Sequence, residues 1–260
     1  MSDWDFLRNG NLWRKPGDPV STVDDFYAGI PQRRCVAELV VAVATESPVA
    51  WLYAPRHCGA SRLLNHLSGS AGMGERATEI VRTSGPVGST AAAYGRLAME
   101  LAIDPIAGGL FDRIDEAIAA SARRQIRTLW LIDDCDPLSA AAAIRLTTAN
   151  RSVTAVPVVR TMSHQLVIAG SAADQPMIKL TPFELADTNG FIRHVIAMAS
   201  GREIPISPDA VTKSHELAAG RVGLLAPIAW RAMKLAAGRG YRQVTADCVT
   251  AEPVAASRAA

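Results

Sequence analysis

What this 260-residue chain has little of narrows it first. No uninterrupted apolar run approaches the roughly 18 residues that a membrane-spanning helix requires, so no membrane insertion is expected. Cysteine is sparse: Cys35, Cys58, Cys135 and Cys248 are widely spaced, which suits reduced thiols better than a disulfide framework. Excess charge is missing as well. With 27 basic and 25 acidic residues the formal charge is +2, so no global field argues for nucleic acid or an anionic membrane. The local clusters Arg33 with Arg34, and Arg123, Arg124 and Arg127, read as solvated helix faces. The opening Met1-Ser2-Asp3-Trp4-Asp5 has early acids and no apolar core, unlike a secretory signal. These absences predict a soluble, cytoplasmic chain, and no internal repeat is visible.

What is present reads as one α/β domain with an appendage. Residues 1–30 form an arm with Trp4, Phe6, Trp13, Phe26 and Tyr27, whose aromatics either staple it to its own chain or dock a neighbouring subunit. From Pro31, the spacing of Val36, Leu39, Val40 and Val43 is helical. Buried strands are predicted over 49–53, 78–82, 128–134 and 165–171, with helices over 61–67, 89–102 and 110–126 between them. Such alternation implies a mostly parallel sheet with helices on both faces, over residues 31–179.

After Lys179 the strand signals stop. Leu185, Thr188, Ile192, Val195, Ile196 and Ala199 make a helical stripe. Ser207-Pro208-Asp209 is a helix start, with a capping hydroxyl, a first-turn proline and an early acid. A third helix carries Leu225, Ile228, Ala229, Ala232 and Leu235 and closes at Gly238 and Gly240. A short last helix begins at Thr245. Residues 180–251 are thus expected as a small C-terminal all-helical subdomain, followed by a tail over 252–260.

The chemistry concentrates at two strand ends. After the first strand comes Ala54-Pro55-Arg56-His57-Cys58-Gly59-Ala60-Ser61. Laid on the phosphate-cradling pattern G-x-x-x-x-G-K-[ST], it keeps Gly59 and Ser61 but has Ala54 for the first glycine and Ala60 for the lysine. The loop falls at a strand-to-helix junction, where the free amides of a helix N-terminus favour anions. The strand Leu129-Trp130-Leu131-Ile132 ends in the paired carboxylates Asp133 and Asp134.

The order of loop, acid-tipped strand, polar-tipped strand and helical lid resembles an AAA+ P-loop NTPase. More narrowly, it is similar to the A-type ATPases of the general (type II) secretion pathway and their transposition-targeting relatives. The resemblance covers roughly residues 28–250. It rests on Leu131-Ile132-Asp133-Asp134-Cys135 and on the lid phrases beginning at Leu180, Phe191, Ile206, Arg231 and Val244. It implies ATP and Mg²⁺ as cofactors. Cys58, Gly59, Ala60, Ser61 and Arg62 would lie along the phosphates, and Ser171 would be a polar sensor of the nucleotide. Ser61 and Asp133 would hold the metal, and Asp134 would stand where the family usually carries the glutamate that polarises water.

The departures weigh against that chemistry. Ala60 removes the ammonium that spans the outer phosphates, and charge-assisted contacts of that kind contribute about 1.5–3 kcal/mol each. The transition state needs that charge more than the ground state, so turnover suffers beyond affinity. Asp134 is one methylene short of glutamate. Aligning the lid on Arg231 puts Gly223 where the family commonly has arginine, with Arg221 two residues away.

The resulting reading is a degenerate AAA+ protein that serves as a binding or assembly module, with protein partners or copies of itself. Two alternatives stand beside it. One is an active ATPase in which Arg56 replaces the lysine, Arg62 being about 100° round the helix. The other is a DNA-binding regulator of the transposition type. A cluster of His57, Cys58, Cys135 and Asp133 as a zinc-like site is a further arrangement, although its spacing is not that of paired ligands.

Overall fold

Seven consecutive buried residues, Arg127–Asp133, form the strand about which the sheet is built. The computed structural model describes residues 26–69, 73, 77–106, 108–161, 175–200 and 204–250. The chain divides into two compact units, one over Pro31–Thr181 and one comprising Met1–Ile30 with Pro182–Ala260.

In the first unit the order is α1 (Ile30–Ala44), β1 (Trp51–Tyr53), α2 (Ala60–Ser68), β2 (Thr78–Ser84), α3 (Thr90–Glu100), α4 (Leu110–Arg123), β3 (Arg127–Asp133), α5 (Pro137–Ala149), β4 (Val153–Val159) and β5 (Met177–Lys179). Among the described residues the five strands are all parallel, in the order β2-β3-β4-β1-β5. Because side chains alternate along a strand, β3 presents opposite faces to two cores. Trp130 and Ile132 pack with Tyr94 and Leu97 of α3, Ile114 and Ile118 of α4 and Leu146 of α5. Leu129 and Leu131, on the other face, are fully buried too, and α2 touches both β2 and β3. The buried aromatics of this frame place their polar ends on partners: the Trp130 indole donates to Thr83 Oγ1 at 3.0 Å, and the Tyr94 hydroxyl to the Ala142 carbonyl at 3.0 Å. Arg127, expected on a solvated helix face, instead opens β3 and is buried, with Nε donating to Thr154 Oγ1 at 2.9 Å.

The expected strands over 49–53, 78–82 and 128–134 are present, the first shortened to Trp51–Tyr53 with an isolated bridge at Val49. That shortening has a local cause. The carbonyls of Ala155 and Val159 accept from Ala50 and Ala54, so the odd-numbered residues of β4 face β1. Pro157 falls on that side and has no N–H to give. The sequence pattern predicts no strand at 153–159, yet β4 lies between β3 and β1 in the sheet. The strand expected over 165–171, with Ser171, lies outside the described residues.

The second unit contains α6 (Leu185–Ser200), α7 (Pro208–Ala218), α8 (Val222–Gly238) and a 3₁₀ turn, Ala246–Cys248. Its core includes Phe183, Phe191, Ile192, Ile196, Leu225, Ala229 and Met233. Tyr27 stacks edge-on against Phe183 and Phe191, each 5.9 Å away between ring centres. The helix start expected at Ser207 is observed, with the hydroxyl accepting from the Ala210 N–H at 3.2 Å and Pro208 in the first turn. Trp4, Phe6 and Trp13, and the expected tail over 252–260, lie outside the described residues. No described helix is long and apolar enough to cross a membrane.

After α7 the chain passes through Ala219 and Gly220, both left-handed, and the Gly220 carbonyl accepts from the Phe183 N–H at 2.9 Å. Gly220 has φ 67°, and a Cβ there would stand 2.3 Å from the Phe183 carbonyl oxygen. Gly220→Ala should therefore destabilise the protein by more than about 1 kcal/mol, with Ala219→Gly neutral or stabilising. Urea denaturation of both variants checks the contrast.

Candidate functional site

The acid-tipped end of β3 gathers residues from four segments of the first unit. Asp133 is the last residue of β3, and its side chain is only 7% exposed. Arg82, near the end of the neighbouring β2, donates from Nη2 to Asp133 Oδ2 at 3.1 Å. Arg160, one residue beyond β4 on the other side, donates from Nη2 to Asp133 Oδ1 at 2.5 Å and from Nε to Asp134 Oδ1 at 2.6 Å. The same Nη2 reaches Ser61 Oγ at 3.2 Å. Asp133 Oδ1 also accepts the Asp134 N–H at 3.0 Å, so both of its oxygens are engaged.

Local geometry explains the convergence. The Cys135 N–H donates to the Val158 carbonyl at 3.0 Å, which keeps the chain leaving β3 beside the end of β4. Between them Asp134 turns with φ 46°, a left-handed conformation that aspartate tolerates better than most residues. Asp134 is 59% exposed, whereas Arg160 is 15% exposed. The two ion pairs of Arg160 are therefore unequal. A solvent-exposed pair contributes about 0–1 kcal/mol, while breaking a buried pair costs about 3–5 kcal/mol. The bond to Asp133 dominates.

The loop over 54–59 keeps part of an anion-cradling backbone. His57 has φ 68° and Gly59 φ 92°, with Cys58 between them outside the left-handed region, an alternation found in backbone nests. Gly59 supplies its conformation without strain, whereas His57 adopts it as a residue with a Cβ. The Cys58 amide is taken within the loop by the Pro55 carbonyl at 3.2 Å. The helix proper starts with Ala60, whose methyl is 1% exposed, and Ser61 follows in its first turn.

A divalent cation held by Ser61 and Asp133 requires oxygens free to coordinate it. Here both Asp133 oxygens and the Ser61 hydroxyl face guanidinium groups, so these residues do not fit a metal ion in this arrangement. Arg56, expected as the substitute cation for the phosphates, is exposed in the loop; the cations on the acid pair are Arg82 and Arg160. Neither stands out from sequence. Arg82 lies within β2, a strand that the sequence does reveal, and Arg160 follows the run Val153-Thr154-Ala155-Val156-Pro157-Val158-Val159, whose proline conceals it. Among the described residues no group of three or more His, Cys, Asp or Glu converges. Cys135 is buried, which pushes its thiol up to about 12, with Asp136 adding to the rise. Gly223 lies in the first turn of α8, after Arg221, in the other unit.

No protein-family model matches the sequence, and no curated protein matches it. Its fold matches solved structures. Among them are Drosophila ORC solved bound to DNA (16% identity, TM-score 0.61, 88% of this chain and 61% of that one) and a Thermotoga maritima RuvB mutant (13%, 0.55, 87% and 70%). A third is a Walker-type ATPase of Pyrococcus abyssi (12%, 0.54, 83% and 71%). The chain spans under two thirds of the ORC chain. At these identities the likeness is one of fold, that of the AAA+ P-loop NTPases: a parallel five-stranded sheet with helices on both faces.

Asp136 fixes the chain just beyond the acid pair. It caps α5 by accepting the Ser139 N–H at 2.9 Å and ties in the Val87 N–H at 3.2 Å. Burial alone raises its pKa, but hydrogen bonds from the Ser139 side chain and from the Ser139, Val87 and Asp136 backbone bring it below the ordinary 3.8. A group depressed by folding adds stability that is complete above its unfolded pKa and is lost as pH falls through the folded one. Asp136→Ala should thus cost about 1 kcal/mol at neutral pH, and its deficit should shrink below about pH 4. Denaturation at pH 7 and pH 3 measures both; an equal deficit at the two pH values would contradict the assignment.

Proposed function

We propose that this protein is an AAA+-fold binding or assembly module with a degenerate nucleotide site, related to the secretion-pathway A-type ATPases, rather than an efficient ATPase. The observation that carries this reading is the pair of guanidinium groups on Asp133, combined with a methyl group at position 60. By the resemblance, Asp133 would hold the metal and Asp134 would orient water. In this arrangement Arg82 and Arg160 neutralise Asp133, and Arg160 also engages Asp134 and Ser61. A carboxylate whose oxygens already accept hydrogen bonds from arginine has none free to coordinate a metal ion.

The partners proposed are other proteins or further copies of this chain. DNA is the weaker candidate, because a charge of +2 spread over 27 basic and 25 acidic residues provides little sequence-independent attraction to phosphates.

Phosphate release from ATP with Mg²⁺ tests the proposal directly. The expected rate is indistinguishable from that of Asp133→Ala. Turnover near 1 per second, within the range of working phosphoryl-transfer enzymes, and abolished by Asp133→Ala, would refute it. So would a fall to background in Arg56→Ala after such turnover, which would establish the active alternative.

A further inference from the structure

Of the two guanidinium groups behind the misfit between the acid pair and a metal ion, Arg160 makes the larger share of the contacts. We infer that Arg160 is the resident cation of this site: its guanidinium takes the three-way position on Ser61, Asp133 and Asp134 that would otherwise require a divalent metal. The inference rests on the degenerate-site reading above and specifies what completes the site.

The geometry is that of a bridge rather than a single ion pair. One nitrogen of Arg160 is shared by Asp133 at 2.5 Å and Ser61 at 3.2 Å, and a second serves Asp134 at 2.6 Å. The planar fork of arginine permits this, whereas the point charge of a lysine does not. Three separate segments meet on that fork: the first turn of α2 through Ser61, the end of β3 through the two aspartates, and the residue after β4. Arg82 takes the remaining Asp133 oxygen and reaches Asn65 of α2 at 3.4 Å through its other amino group. Two carboxylates thus face two guanidinium groups, and no net negative charge remains for a dication. A metal entering between Ser61 and Asp133 would have to expel Arg160 or sit against its charge.

This assignment predicts a site that is closed to metal in the native chain and opened by a single substitution. Mn²⁺ binding, followed by its electron paramagnetic resonance signal, is measured on the full chain without nucleotide, for wild type, Asp133→Asn, Arg160→Gln, Arg160→Lys and the double variant Arg160→Gln with Asp133→Asn. Wild type should leave the Mn²⁺ signal free at millimolar metal. Arg160→Gln should bind at least about tenfold more tightly, since one adjacent positive charge has been removed, and Asp133→Asn should abolish that gain. Melting gives an independent readout: Arg160→Gln should melt several degrees lower than wild type and recover with Mn²⁺, while wild type should not respond to the metal. Arg160→Lys, which keeps the charge but not the fork, should melt lower than wild type without gaining metal affinity.

Mn²⁺ bound by wild type as tightly as by Arg160→Gln, and lost on Asp133→Asn, would overturn the inference. If the glutamine variant does not fold, the wild-type titration decides alone: a free Mn²⁺ signal supports the closed site, and metal bound at micromolar concentration and lost in Asp133→Asn refutes it. Both readouts are taken without ATP, so they are independent of whether nucleotide is bound or cleaved.

Discussion

A carboxylate at the end of a central strand must be met by cations or hydrated, because burying it uncompensated is prohibitive. Asp133 occupies that position, and the topology dictates what meets it. Since β3 lies between β2 and β4, the groups that reach its tip come from the ends of those two strands, Arg82 on one side and Arg160 on the other. The same junction sets the placement of Ser61 and the turn at Asp134. The interaction is local, but it joins segments up to 99 residues apart in sequence.

This arrangement changes when charge arrives at the loop. In the family that the sequence resembles, positive charge beside the acid pair is brought by a metal with its nucleotide and supplemented by a lysine in the loop. In this chain the lysine position is a buried alanine, and the positive charge belongs permanently to β2 and to the residue after β4. The field at the mouth is therefore a fixed property of the protein. Backbone dipoles at His57 and Gly59 are fixed, unlike a mobile ammonium that can follow a transferring phosphoryl group.

Much of this architecture is legible in the sequence because it depends on local patterns. Ser207-Pro208-Asp209 announces its helix through capping chemistry, and Leu129 to Ile132 announces a strand through an apolar run that ends in acids. Such signals are physical preferences of neighbouring residues, and the structure realises them. Pro157 defeats the same logic at β4. A proline argues against a central strand when a ladder hydrogen bond is needed from it, but here its missing N–H falls on the side of a three-residue β1 that begins late enough to tolerate the loss. With β4 hidden, Arg160 has no place assigned by pattern. Arg56 is the cation that the loop itself carries, and the pattern therefore offers it for the phosphates.

The fold and the chemistry of this site are also separable on energetic grounds. The hydrophobic cluster inside each unit contains none of the groups that converge on Asp133. Working active sites often carry stability penalties, because charges are held where the reaction rather than the fold needs them. Here alanine at the start of α2 packs its methyl group out of solvent, and Arg160 pairs with two carboxylates that would repel each other if left bare. Each change favours the resting structure over a charged, ligand-dependent one. The Arg160 bridge therefore ties Ser61, Asp133 and Asp134 together in the folded chain and offsets the charge of both acids.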